Sequence, residues 1–250
     1  MPDPLTPWLF ALLGVAAGAL IGCVGIGGVI VVPALVYLFD VPIHAAIAAA
    51  MFAFLMSGVV GTAVFTRKRS IRWDMTGWMW AGAMPAAFAG ALFATAVAPA
   101  VIEAAVGLLA AASGAHALLV NGGGEPRRSA PSNPVLLGVG AFTGFSSSVT
   151  GTGGPLVLIP ILVWLELPVL VAIGLAQAIQ VPIAVLATAG YVVAGALDVR
   201  TGAFIGAGIL AGTWAGARLA HVLPRAILRR IVSALLVAVG ASILVRLAFF

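Results

Sequence analysis

Two glycine clusters define the chemistry open to this chain. Gly25-Ile26-Gly27-Gly28 sits in the apolar stretch GALIGCVGIGGVIVVPALV, and Gly151-Thr152-Gly153-Gly154 sits in GFSSSVTGTGGPLVLIPILV. Glycines at this density interrupt an apolar helix and free backbone N–H groups. A helix that restarts after the interruption, near Val29 or Pro155, points its positive dipole end at the break. Pro155 suits a first helical turn because it has no N–H to satisfy. Two such ends, one from each stretch, would hold a small anion. The competing reading is that glycines only let membrane helices pack closely. That reading suffices for Gly90 and Gly208, but a repeated GxGG flanked by prolines asks for more. A Rossmann or P-loop reading fails, because no soluble βαβ unit and no Gly-Lys-Ser/Thr ending accompanies the glycines.

Polar groups gather beside the second cluster. Ser146, Ser147, Ser148, Thr150 and Thr152 are hydroxyls that could donate to an anion's oxygens without burying a charge. Back-bonding to the preceding helical turn would use some of the five. Gln177 and Gln180 follow in LAQAIQVP; at i and i+3 they share one helix face. A substrate-facing role and a helix–helix hydrogen bond both suit them, since an amide in hydrocarbon needs a partner. The matching positions of the first half, Met51 and Phe54, are apolar, so the polar contacts come largely from the second half. The candidate binding set is Gly25, Gly27, Gly28, Ser148, Thr150, Gly151, Thr152, Gly153, Gly154, Gln177 and Gln180. No residue is assigned a catalytic or metal-binding role, and nothing calls for a cofactor.

Asp40, Asp74, Glu103, Glu166 and Asp198 all fall at or near predicted helix ends, as do His44, His116 and His221. Arg218 lies about one turn inside its segment, within reach of snorkelling. No carboxylate sits at mid-membrane, where proton relays are commonly built.

These residues must be positioned by a membrane-embedded frame. Of 250 residues, 63% are hydrophobic and only 19 are charged (12 Lys+Arg, 7 Asp+Glu). A soluble domain carries roughly 25% charged residues, so a soluble protein is excluded. Mean hydropathy is +1.22 and the pI is near 10.7. The basic residues end apolar runs, which marks them as topology determinants and not as a nucleic-acid face. The lone cysteine, Cys23, excludes internal disulfides and a cysteine-rich metal site. Met1 to Pro7 carries no Lys or Arg, so no signal peptide is expected. Every spanning piece must be helical, because backbone groups in a bilayer need internal partners.

Eight apolar segments are predicted: Trp8–Phe39, Ile43–Thr66, Met75–Ala96, Ala100–Val120, Pro134–Leu165, Val169–Ala196, Thr201–Val222 and Ala226–Phe249. Residues 121–133, NGGGEPRRSAPSN, form a polar linker that separates a first membrane repeat (1–120) from a second (134–250), the two together making one transport domain. At an offset of 126 residues the GxGG recurs, Asp40-Val41-Pro42 meets Glu166-Leu167-Pro168, and Gly14, Gly18, Thr62 and Gly90 meet Gly140, Gly144, Thr188 and Gly216. Internal repeats with glycine-broken segments at corresponding places point to the binding site of a secondary transporter.

Length and charge favour re-entrant hairpins in the two broken segments, and with them inverted repeats of one hairpin plus three transmembrane helices each. Each broken segment has 32 residues, which as one helix would run about 48 Å, too long for an ordinary crossing. Hairpins put Arg67, Lys68, Arg69, Arg72, Arg127, Arg128, Arg218, Arg225, Arg229 and Arg230 on one side, with only Arg200 and Arg246 on the other. Eight single crossings, and so parallel repeats, would distribute the same charges 8 against 4. The positive-inside rule prefers the first, with both termini outside and the linker in the cytoplasm.

Over essentially its whole length the chain resembles the sulfite exporter TauE/SafE family, also called the toluene-sulfonate uptake permeases. The resemblance rests on GVGIGGVIVVPAL, on TGTGGPLVLIPIL, on the acid-x-Pro after each and on the tandem halves around a polar loop. It implies a multi-pass carrier in a bacterial-type inner membrane, moving sulfur oxyanions such as sulfite, sulfonates or sulfoacetate in either direction. Its partners would be that anion and the bilayer, without nucleic acid, and it is compatible with a homo-oligomer. The family's site residues carry over only to Gly25, Gly27, Gly28, Gly151, Gly153 and Gly154; the hydroxyls and glutamines are added from position and polarity.

The leading expectation is therefore a secondary transporter that alternates access around a midplane site at the two breaks. An anion channel using the same helix ends is the alternative. An intramembrane serine hydrolase is the remote one: it needs His116 or His221 within hydrogen-bond reach of the GFSSSVTG serines.

Overall fold

The structure is a computed structural model, and it describes residues 6–25, 27–119, 131–219, 234, 237–238, 240–241 and 243–245. Those residues are helical or connecting, with no strand among them. Nine helices have assigned bounds: α1 Thr6–Val24, α2 Gly28–Phe39, α3 Ile43–Arg67, α4 Trp73–Ala96, α5 Pro99–Leu119, α6 Asn133–Thr150, α7 Pro155–Trp164, α8 Val169–Val193 and α9 Val199–Leu219. The described residues between 234 and 245 are helical as well. Most of the polar linker, His221, and Arg127, Arg128, Arg225, Arg229, Arg230 and Arg246 lie outside the described residues. By length and composition α3, α4 and most of α8 (Leu170–Val193) can cross a membrane.

Each of the two long apolar segments is a pair of helices. The interruptions fall at Gly25–Gly27 and Gly151–Gly154, where Gly25, Gly151, Gly153 and Gly154 adopt positive φ between 68° and 107°, a region that only glycine enters freely. The arms are unequal. Arms of about 15 and 11 residues follow from the sequence, yet α1 has 19 residues and α2 12, and α6 has 18 and α7 10. At 1.5 Å per residue the first arms run about 27–29 Å, close to a full hydrocarbon core, and the second arms about 15–18 Å.

The acid-x-Pro after each second arm is a corner. Asp40 (φ 53°) and Glu166 (φ 63°) take the left-handed conformation past the helix end. The Leu167 amide bonds back to the Leu162 carbonyl at 3.0 Å, the pattern of a Schellman stop, while the amides of Asp40 and Val41 both bond back to the Leu35 carbonyl, that of Val41 at 3.0 Å and six residues on. Pro42 and Pro168 then open α3 and α8 with extended backbone.

Glycine contacts give the direction in which neighbouring helices run. Gly14 packs on Ile205 to Ile209, Gly18 on Ile209, and Gly22 on Thr213 to Ala217, so α1 and α9 ascend together. Gly140 packs on Met79, Gly144 on Ala83 and Gly90 on Phe145, so α4 and α6 also run parallel. Gly202 lies on Ala49 and Phe52 and Gly206 on Ala53 and Met56, which makes α3 parallel to α9. Trp80 Nε1 donates to the Ala178 carbonyl at 3.1 Å, and Gly190 lies on Phe88 and Ala91, so α4 and α8 are parallel. Gln180 meets Phe54 and Ser57 while Gln177 meets Gly61 and Thr62, so α3 and α8 cross antiparallel.

One consequence is decisive for the break. With α1 and α3 both running in the direction of α9, α2 must carry the chain back. It does: the Phe39 ring at the end of α2 packs edge-on to Phe10 near the start of α1, centroids 4.9 Å apart. The core sits between α3 and α8. Every residue from 172 to 180 is buried, including both glutamines, and Phe54, Met51 and Ile47 of α3 face them fully buried.

Candidate functional site

The two breaks meet in that core. A Cβ added to Gly28, the first residue of α2, would strike the Thr152 carbonyl of the other break. One added to Gly25 would lie 3.4 Å from the Pro155 ring at the start of α7, and one on Gly151 would lie 2.7 Å from a Val32 methyl of α2. The Phe54 ring of α3 lies against both breaks, 3.1 Å from the Cβ position of Gly28 and 2.8 Å from that of Gly153. Gly27 packs inward on Ala17 and Ile21 of its own hairpin, and Gly154 on Ile179, Ile183 and Thr143. All of Gly25, Gly27, Gly28, Gly151, Thr152, Gly153 and Gly154 are buried. At Gly28 and Thr152 backbone approaches backbone, while side chains of Ile159, Val32 and Ile47 pack against Gly25 and Gly151.

Both second arms start at this meeting. The Gly154 carbonyl accepts the N–H groups of Val157 and Leu158 at 3.1 and 3.0 Å, and the Gly27 carbonyl accepts that of Ile30 at 3.2 Å. The positive ends of two helix dipoles thus face the core from α2 and α7.

The predicted hydroxyls divide. Thr150 donates back to the Ser146 carbonyl at 2.7 Å and lies 3.0 Å from the Thr152 hydroxyl, so these two satisfy each other and the helix end. Ser148 is buried with an unpartnered hydroxyl, but its Cβ faces Gly90 of α4, 3.2 Å from that glycine's Cβ position. Its carbonyl accepts the Tyr191 phenol at 2.7 Å. The adjacent Ser147 also has an unpartnered, fully buried hydroxyl. Neither the Ser147 nor the Ser148 hydroxyl has a hydrogen-bond partner among the described residues. The side chain of His116, and His221 altogether, lie outside the described set.

The glutamines bind the two halves together. Gln177 Nε2 donates to the Ile21 carbonyl at 2.9 Å, in the last turn of α1. Gln180 Nε2 donates to the Ser57 hydroxyl at 3.1 Å and the Phe54 carbonyl at 3.4 Å, both on α3. Gln180 therefore spends both of its N–H groups on the protein, whereas Gln177 has one more to offer. Each Oε1 is buried and unpartnered. Gly61 leaves room for the Gln177 amide, since a Cβ there would collide with Oε1.

Sequence reasoning passed over three residues that the structure brings to the site: Phe54 against both breaks, Gly61 under Gln177, and Thr143 beside Gly154. Thr143 had a signal, because it stands one helical turn before Ser147. Phe54 had one as the first-half position that matches Gln180, and Gly61 had none, for its partner is distant in the chain. Among the described residues no cluster of His, Cys, Asp and Glu could hold a metal ion.

No curated protein and no solved structure matches this chain. A family model does: sulfite exporter TauE/SafE matches residues 10–243, a span that takes in both breaks and both glutamines. With that coverage, and with helices apolar enough to cross a bilayer, the chain belongs to the sulfite exporter TauE/SafE family of multi-pass membrane transporters.

Proposed function

We propose that this protein is a secondary transporter of a small sulfur oxyanion, of the sulfite, sulfonate or sulfoacetate type, alternating access around the meeting of the two breaks. The observation that carries the reading is the burial of both GxGG breaks against each other, with the positive ends of α2 and α7 facing the core. Irregular backbone at membrane depth is tolerated only where protein or a watered cavity covers it. Broken helices of this kind form the ligand sites of secondary transporters.

We infer inverted repeats with re-entrant hairpins in a bacterial-type inner membrane. Three features support this. The bounds of α3 and α8 coincide at the 126-residue offset. Matching helices run in opposite directions: α3 against α8, and α1 with α9 while α6 runs with α4. The same directions put Arg67, Lys68, Arg69, Arg72 and Arg218 at one end of the bundle and Arg200 at the other, as the positive-inside rule asks. The binding set remains Gly25, Gly27, Gly28, Ser148, Thr150, Gly151, Thr152, Gly153, Gly154, Gln177 and Gln180. Within it the backbone of the breaks and one N–H of Gln177 are the donors, and Gln180, Thr150 and Thr152 hold the frame.

The test is flux into liposomes of the purified protein, with sulfite, sulfoacetate and an aryl sulfonate as substrates and chloride and nitrate as controls. Saturable, counter-flow-capable uptake of a sulfur oxyanion with chloride excluded is expected. Fast unsaturable flux of every anion would make the protein a channel, and no flux of any anion would remove the reading.

A further inference from the structure

We propose that the hydroxyls of Thr143 and Ser147 are further donors to the transported oxyanion, beside the start of α7, and that the chain therefore holds one anion, in its second half. This rests on the transporter reading above and goes further by naming the atoms.

Both residues are fully buried, and neither hydroxyl has a hydrogen-bond partner. A hydroxyl left unsatisfied in an apolar interior is destabilising. A helical Ser or Thr ordinarily avoids that by bonding back to the preceding turn, as Thr150 does to Ser146. Thr143 and Ser147 do not. They stand four residues apart on α6 and so share one face. Thr143 borders the second break: its methyl lies 4.0 Å from the Cβ position of Gly154, which immediately precedes α7, with Ile179 and Ile183 of α8 against the same glycine. The Ser147 carbonyl accepts the N–H groups of Gly151 and Thr152, which fixes this residue at the edge of the break.

The first half supplies the comparison. At the 126-residue offset Thr143 and Ser147 correspond to Ala17 and Ile21, equally buried and packed on Gly27 of the first break. Apolar side chains fill those positions without loss, so packing alone does not call for the hydroxyls. Their presence in one half only predicts a single anion per chain. The chemistry fits an oxyanion. A hydroxyl offers one hydrogen in a defined direction, and two of them one turn apart address two oxygens on one sulfur. A halide has no such pair. Neutral donors also let the anion leave, where a buried cation would hold it.

The test is equilibrium binding of sulfite, with chloride as control, to the purified full-length protein by titration calorimetry, alongside thermal melting without ligand. The variants are Thr143→Val and Ser147→Ala, with Thr213→Val as control. Thr213 is also buried with an unpartnered hydroxyl, but it lies on the seam between α9 and α1. The wild type is expected to bind one sulfite per chain. Each of the first two variants should weaken binding about fivefold to thirtyfold while melting no lower than wild type, and Thr213→Val should bind as wild type does. Unchanged sulfite affinity in both variants, an equal loss in Thr213→Val, lower melting in step with the loss, or two sulfites per chain would each overturn the proposal while leaving the transporter reading in place. A wild type that binds none of sulfite, sulfoacetate and an aryl sulfonate would overturn both.

Discussion

The Gln177 side-chain amide donates to the main-chain carbonyl of Ile21 at 2.9 Å, tying the middle of α8 to the last turn of α1. The same carbonyl accepts the N–H of Gly25 at 2.8 Å, the residue that opens the first break. Gln177 thus steadies the turn from which the hairpin reverses, across the boundary between the two halves. Its own carbonyl is bonded by the Thr62 hydroxyl at 3.1 Å, so α3, α8 and α1 are joined at one point.

Replacing Gln177 by Leu should leave Ile21 with its Gly25 bond and remove only the bridge. A net hydrogen bond of this kind is worth about 0.5–1.5 kcal/mol, so the melting temperature in detergent should fall by a few degrees. Transport should fall with it. Gly61→Val should do more damage, because its side chain would occupy the space of the Gln177 amide and overpacking costs typically 1–3 kcal/mol. Melting curves of both variants, with Gly77→Ala as an uncrowded glycine control, would check the order.

Gly28→Val should abolish transport while the protein still inserts. The valine Cβ has nowhere to go but into the Thr152 carbonyl, so the two breaks must separate. Gly154→Val should act by a different route: its φ of 107° is one that a β-branched residue does not adopt. Liposome flux normalised to the amount of inserted protein is the measurement, and full activity in both variants would refute the breaks as the site.

The reversal of the chain at Gly25–Gly27 can be trapped. In a Cys23→Ser background, Phe10→Cys and Phe39→Cys should be joined by a short bismaleimide, since the native rings are 4.9 Å apart. A segment that crossed the membrane as one helix would hold these positions about 40 Å apart at 1.5 Å per residue, beyond the reach of the reagent. Single cysteines at Asp40 and Glu166 should react from opposite faces of the membrane; labelling from the same face would contradict inverted repeats.

Asp40 and Glu166 should prove dispensable for transport, although they recur in register. Each holds a left-handed φ at a helix end, and that conformation favours glycine. Asp40→Gly and Glu166→Gly should raise stability by about 0.5–1 kcal/mol or leave it level and keep the flux of wild type. Asp40→Val should lower stability by about 1–2 kcal/mol. A loss of flux in both glycine variants at unchanged stability would give the carboxylates a chemical role.

Part of this architecture is local, and local features are legible in a sequence. Glycine clusters end helices because their backbone enters conformations that other residues avoid, so GIGG and GTGG mark the breaks wherever the neighbours lie. Acid-x-Pro marks a stop and a restart for similar reasons, since proline cannot continue the preceding helix. Apolar length marks the membrane helices. The length of the first arms was less legible: α1 begins at Thr6 and persists to Val24 because its glycines seat it along α9.

The sequence by itself thus determined the membrane class, the places of the breaks and the family. The tertiary structure alone decided which faces meet. A chain that is 63% apolar has helices apolar on every side, so hydrophobic periodicity, which reveals the buried face of a soluble helix, carries little information here. Gln177 could as well have faced an anion as a carbonyl; the packing of α8 on α1 and α3 turned it to Ile21. Thr150 bonds back to Ser146, whereas the hydroxyls of Thr143 and Ser147 on the same helix have no partner. The neighbours of Gln177 come from elements distant in the chain, brought close by glycine seams whose partner no single sequence names.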